Sequence, residues 1–144
     1  MCYIRQTSNG VKKFEILEHK ADLKIRAFGK DKKELFLNAL RGMVDSQKGE
    51  GLKRQVKRKI KIKSLDLAAL LVDFLSEALY LSQVNKEIYK NLEFKKFSDT
   101  RIEGELIGQK VGRFGEDIKA VTYHDLDIRQ RKDRAWEATL LFDI

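Results

Sequence analysis

The residue types that could bind a hard cation stand far apart in this chain, at Asp22 and at Asp143 with Ile144. Asp22 and His19 lie in the run EHKAD, which interrupts two alternating stretches; polar residues at such a break are usually turn formers, and on the residues alone that reading is preferred. Asp143 is the penultimate residue, so its side chain and the main-chain carboxylate of Ile144 set two acidic groups on adjacent positions. One further carboxylate, such as Asp22, would make an oxygen-rich site. Calcium takes about six to eight oxygens and magnesium about six, with water filling the shell. Chain ends usually fray, so an alternating pattern that persists to Phe142 implies a terminus held in place.

A third stretch, KAVTYHDLD from Lys119 to Asp127, carries a lysine, a tyrosine, a histidine and two aspartates in one expected strand. Strand parity puts His124 on the face of the apolar residues, which favours a core histidine bonded to backbone. Lys119 and Tyr123 fall on the opposite face, where the lysine is either a surface residue or a reach toward phosphate or carboxylate. The lysines from Lys53 to Lys63 could track a nucleic-acid backbone, but no aromatic residue interleaves with them for base stacking. Lysines also guard exposed sheet edges, and that reading is preferred. The run GQKVGRFGED matches neither a phosphate-binding loop nor a dinucleotide fingerprint. The two histidines lack helical ligand spacing, no GxSxG run occurs, and the single cysteine is Cys2. Hydrolytic catalysis by this chain alone has little support.

The elements that must position these groups follow from periodicity. One helix begins at Asp31, a capping aspartate three residues before Glu34, and Leu35, Phe36, Ala39, Leu40, Met43 and Val44 recur at helical spacing. A second begins near Asp66 and runs to between Gln83 and Asn85, with Leu67, Leu70, Leu71, Phe74, Leu75, Ala78 and Leu79 as a wide apolar stripe. Its polar side carries Asp73 and Glu77, read as a solvated face. Strands are expected around Phe14–Ile16, Leu23–Ala27, Val56–Lys63, Leu92–Phe97 with one break in step, Ile102–Leu106, Ile118–Ile128 and Trp136–Phe142. Residues 47–51 and 108–116 read as loops. Strands outnumber helices and mostly succeed one another directly, so the expected fold is α+β, a single domain over 1–144 with a largely antiparallel sheet and two main helices packed on it.

Composition limits the function classes. Of 144 residues, 42% are hydrophobic, enough for one core, and no stretch approaches the roughly 20 apolar residues of a membrane span. The opening MCYIRQTSNG lacks a secretory apolar run, so a cytoplasmic protein without membrane partners is expected. Thirty Lys and Arg against 22 Asp and Glu give a net charge of +8, which suits polyanions but also a surface of charge networks. With no proline, every turn depends on Gly, Asn, Asp or Ser.

The runs HKADLKIRAFGKDKKELFLNAL, DLAALLVDFLSEALYL, IKAVTYHDLDI and the closing WEATLLFDI together resemble the archease family, in its order and at its approximate spacing. The resemblance implies a small α+β protein that binds a divalent cation, calcium ahead of magnesium or manganese. Its metal ligands would be the aspartate of H-x-A-D, here Asp22, the aspartate before the terminus, here Asp143, and the terminal carboxylate of Ile144. Lys119 of the KAVTYH run, with His19 beside the acidic motif, is carried over as a candidate for partner function. The resemblance further implies an accessory protein rather than an enzyme. It would activate an RtcB-type GTP-dependent tRNA-splicing RNA ligase, promoting guanylylation and repeated turnover while touching tRNA only indirectly. The alternative it implies is a chaperone-like or RNA-binding modulator of a tRNA methyltransferase or another tRNA-processing enzyme. Lys20 and Lys24 depart from the family pattern, and an ammonium aimed at Asp22 would oppose a cation there.

Overall fold

The computed structural model describes residues 12–18 and 22–144. His19, Lys20 and Cys2 lie outside the described residues. The elements run β1 (Phe14–Glu18), β2 (Asp22–Gly29), α1 (Lys32–Gln47), β3 (Gly49–Lys63), α2 (Leu67–Asn85), β4 (Glu87–Phe97), β5 (Arg101–Phe114), β6 (Ala120–Gln130) and β7 (Trp136–Asp143).

Both helices start where capping chemistry places them. Asp31 accepts the N–H of Glu34 at 2.8 Å, and Glu34 Oε1 accepts the N–H of Lys30 at 3.0 Å, a reciprocal arrangement that satisfies otherwise orphaned donors. Asp66 likewise accepts from Ala69 at 2.8 Å. Each helix stops at a lysine in left-handed conformation, Lys48 at φ 50° and Lys86 at φ 54°. Gly29 joins β2 to α1 at a point where a Cβ would lie 2.3 Å from the Leu35 nitrogen, so no larger residue fits that approach.

The α+β expectation holds, and the antiparallel strands divide between two sheets. One has the order β1-β2-β7-β6, the other β3-β5-β4. Each helix touches strands of both sheets, α1 mainly β2 and β4, and α2 mainly β6 with β3, β4 and β5. The apolar stripes of the helices therefore join the two sheets through one core, where Phe36 stacks on Phe74 at 5.7 Å and meets Phe97 edge-on at 5.1 Å. By length and composition α2 does reach what a membrane span needs, contrary to the sequence expectation. Its Leu70, Leu71, Phe74, Leu75 and Ala78 are instead fully enclosed in this core.

Three local expectations are corrected. Residues 49–51 and 108–114 are strand, not loop: Gly49 pairs with Phe114 and Gly108 with both Val56 and Tyr89. The glycine there answers a close approach, since a Cβ on Gly108 would lie 1.7 Å from the Ile88 carbonyl oxygen beside a register shift in β4. The third concerns His124. In β6 the register jumps from Thr122 opposite Leu141 to Asp127 opposite Thr139, and Asp125 takes φ 55°. This bulge breaks the parity on which a core histidine was expected and leaves the His124 side chain 74% exposed.

Candidate metal centre

The central strands β2 and β7 bring the two distant acidic motifs into one row. Asp22 is the direct antiparallel partner of Asp143, and Ala120 of β6 is Asp143's partner on the other side. The next row inward consists of Leu23, Phe142 and Val121, all buried, which pins the register because a one-residue slip would turn this apolar row outward. Direct partners point to the same face, so the two aspartates stand together on the face opposite the core. Opposed like charges destabilise a sheet. Among the described residues Asp22 Oδ1 is moreover buried without a hydrogen-bond partner, an arrangement that costs on the order of 1–3 kcal/mol.

The terminus is held as its pattern implied. The carbonyl of Asp143 accepts the N–H of Lys119 at 2.7 Å, and the Ile144 side chain packs on the core. Gln83 of α2 donates its side-chain N–H to the carbonyl of Ile118 at 2.6 Å, fixing the segment that presents Lys119, whose side chain is exposed. Asp22, Asp143, Ile144 and Lys119 are thus neighbours, whereas His19 lies outside the described residues. Lys24, the next residue on Asp22's face of β2, pairs with Leu141 and is half-buried.

These groups fit a hard divalent cation. Two carboxylates stand on directly paired residues, one oxygen lacks a partner among the described residues, and the Ile144 main chain follows Asp143. Among the described residues no three His, Cys, Asp or Glu side chains cluster in a metal-binding group, so side chains alone supply only the aspartate pair.

Sequence reasoning missed two polar clusters. Asp73 is not merely solvated: its Oδ1 accepts the Tyr123 hydroxyl at 2.6 Å and its Oδ2 accepts the Ser64 hydroxyl at 2.6 Å. The bond to Asp73 raises the Tyr123 pKa above that of an ordinary phenol. The other cluster centres on Glu87, which is wholly buried and paired with Arg58. Arg58 forks onto it with bonds of 2.9 and 2.7 Å, Tyr89 donates at 2.6 Å, and Lys110 stands 3.5 Å away. The hydrogen bonds from Arg58 hold the Glu87 pKa below the usual carboxylate value, against the opposing effect of burial. Burial, reinforced by Glu87, pushes the Tyr89 hydroxyl up. No period or motif signals either cluster, because each draws on three segments distant in the chain or in separate elements.

The lysine face of β3 is at a sheet edge, as preferred, and Lys59 and Lys61 lie directly opposite Glu105 and Glu103 of β5. Lys57 faces Ile107 and Lys63 faces Arg101, so glutamates stand opposite two of the four lysines.

A small two-sheet α+β protein with an acidic pair at the end of its central strands matches the archease protein family (MTH1598/TM1083) over residues 14–144. The protein archease of Methanosarcina barkeri is 36% identical, with 92% of this chain and 97% of that protein aligned. That of Pyrococcus furiosus is 30% identical over 93% of this chain and all of its own length. Among solved structures, Methanobacterium thermoautotrophicum protein 1598 superimposes with a TM-score of 0.64 at 24% identity, covering 91% of this chain and 98% of that one. An archease from Thermotoga maritima, described as a possible chaperone, gives 0.65 at 20% identity over 88% and 94%. The chain belongs to the archease family.

Proposed function

We propose that this archease is a metal-dependent accessory protein of an RtcB-type GTP-dependent RNA ligase, acting on a partner enzyme rather than catalysing a reaction itself. Asp22, Asp143 and the main-chain carboxylate of Ile144 hold a divalent cation, with calcium preferred over magnesium or manganese. The observation that carries this reading is the cross-strand pairing of Asp22 with Asp143, with one buried Asp22 oxygen lacking a partner among the described residues. The cation neutralises the opposed carboxylates and satisfies that oxygen, and it gives the end of β7 a fixed shape. Lys119, held beside the pair by its own backbone bond to Asp143, is the cationic group that meets the partner's carboxylate or phosphate.

Family resemblance supplies the ligase, and the geometry supports an accessory role by offering a shaped, charged corner. A direct tRNA-binding role through β3 is less favoured, since glutamates stand opposite Lys59 and Lys61. The cytoplasm is the expected compartment.

The test is to titrate calcium, magnesium and manganese into wild type and Asp22→Ala, and to assay guanylylation of an RtcB-type ligase from the same organism with each. Wild type should bind metal and speed guanylylation, while the variant does neither. Full stimulation by a variant that no longer binds metal would remove the cation from the mechanism.

A further inference from the structure

Helix α2 combines an unusual composition with an uncovered face. In a chain with 30 Lys and Arg, its sequence LAALLVDFLSEALYLSQVN contains none. Asp73, Glu77, Tyr80 and Val84 fall within an arc of about 60° at the ~100° per residue of an α-helix, so they form one stripe. Tyr80 is 58% and Val84 61% exposed, although both are large and apolar. The stripe has defined neighbours. At one end Asp73 holds the hydroxyl of Tyr123, itself 59% exposed, beside the bulge that presents His124 and Asp125. At the other, Gln83 holds the Ile118 carbonyl, next to Lys119 and Asp143. The stripe thus runs along β6, tied to it at Tyr123 and, just ahead of the strand, at Ile118.

We infer that this stripe is the docking surface for the protein partner, and that it receives an apolar or aromatic side chain flanked by Lys or Arg. The inference rests on the accessory role proposed above and adds where the partner sits. Charge selects the occupant. A polyanion such as tRNA gains nothing from a helix whose only charges are Asp73 and Glu77, and is repelled by them, whereas a cationic protein surface is attracted. Tyrosine is among the residues that concentrate binding energy at such interfaces, through large area at low entropic cost.

The experiment compares wild type, the double variant Tyr80→Ser with Val84→Ser, and Glu77→Lys, measuring equilibrium binding to the purified RtcB-type ligase, calcium affinity, tRNA binding and melting temperature. All three substituted residues are exposed, so the fold should persist, and Glu77→Lys reports on the same surface should the double variant melt early. Both variants should bind the ligase about tenfold more weakly or worse, with calcium affinity unchanged. Ligase affinity equal to wild type in both variants overturns the docking surface and leaves the accessory role standing. A wild-type protein that neither binds nor stimulates the ligase overturns the accessory role and this surface with it. Loss of tRNA binding in place of ligase binding overturns the assignment of a protein occupant.

Discussion

Asp22 and Asp143, from opposite ends of the sequence, are direct cross-strand partners at the open end of the two central strands, with the buried pair Leu23 and Phe142 immediately behind them. Two like charges are held together by an apolar row that cannot shift without exposing itself. The arrangement sets like charges opposite each other, which a cation bound as proposed would relieve.

Asp22→Asn should therefore separate metal binding from folding. Without metal the variant should be as stable as wild type or more so, by up to about 1 kcal/mol, because a like-charge pair is removed. With calcium the order should reverse, since only wild type gains ligand stabilisation. Thermal melts with and without calcium check this, and a wild-type melting temperature indifferent to calcium, magnesium and manganese would contradict it.

Adding residues after Ile144 tests the chain end itself. The free carboxylate would move while the β7 pairing and the buried Phe142 remain. Calorimetric titration should show weaker metal binding with little loss of melting temperature. An extended protein with unchanged affinity would show that the terminal carboxylate is not a ligand.

Glu87 should govern the acid side of the stability profile. Its folded pKa is depressed, so its contribution is fully present above the unfolded carboxylate pKa of about 4.3 and is lost as pH falls through the lower folded value. Glu87→Gln should flatten that acid loss. Glu87→Ala, which strands Arg58 and Tyr89 without their acceptor, should cost about 3–5 kcal/mol by urea denaturation at neutral pH. A change below about 1 kcal/mol would mean that water replaces the network freely.

Tyr123 works in the opposite sense of pH. Its folded pKa is raised, so its bond to Asp73 contributes below the unfolded phenol value of about 10 and is lost as pH rises through the higher folded value. Because the side chain is largely exposed, Tyr123→Phe should cost under about 1 kcal/mol. Spectrophotometric titration should show one fewer high-pKa tyrosine in the variant.

Replacing Lys57, Lys59, Lys61 and Lys63 together with Gln should leave guanylylation of the ligase unchanged and make the protein more prone to self-associate, because β3 is a sheet edge. Light scattering and the ligase assay read the two effects. Lost stimulation with unchanged solubility would reassign the lysines to function.

Much of the scaffold was legible in the residues alone. Asp31 and Asp66 announced both helices because caps and apolar periodicity are local signals, and the alternation in Leu23–Ala27, Val56–Lys63 and Trp136–Phe142 marked strands for the same reason. The runs around Gly108 and His124 misled because glycine reports a tight place without saying whether it is a turn or a close strand, and because a bulge resets parity with no change in composition.

Sequence by itself determined both helices and the cores of most strands, the α+β class, the resemblance to archeases and the identities of Asp22, Asp143 and Lys119 as candidates. Only tertiary structure decided that Asp22 faces Asp143, that Lys119 is tied to the Asp143 carbonyl, that Asp73 serves Tyr123, and that Glu87 is buried on Arg58. Local propensity acts over a few residues, whereas these contacts depend on the order and register of strands distant in the chain. The packing of buried rows such as Leu23, Phe142 and Val121 sets that register.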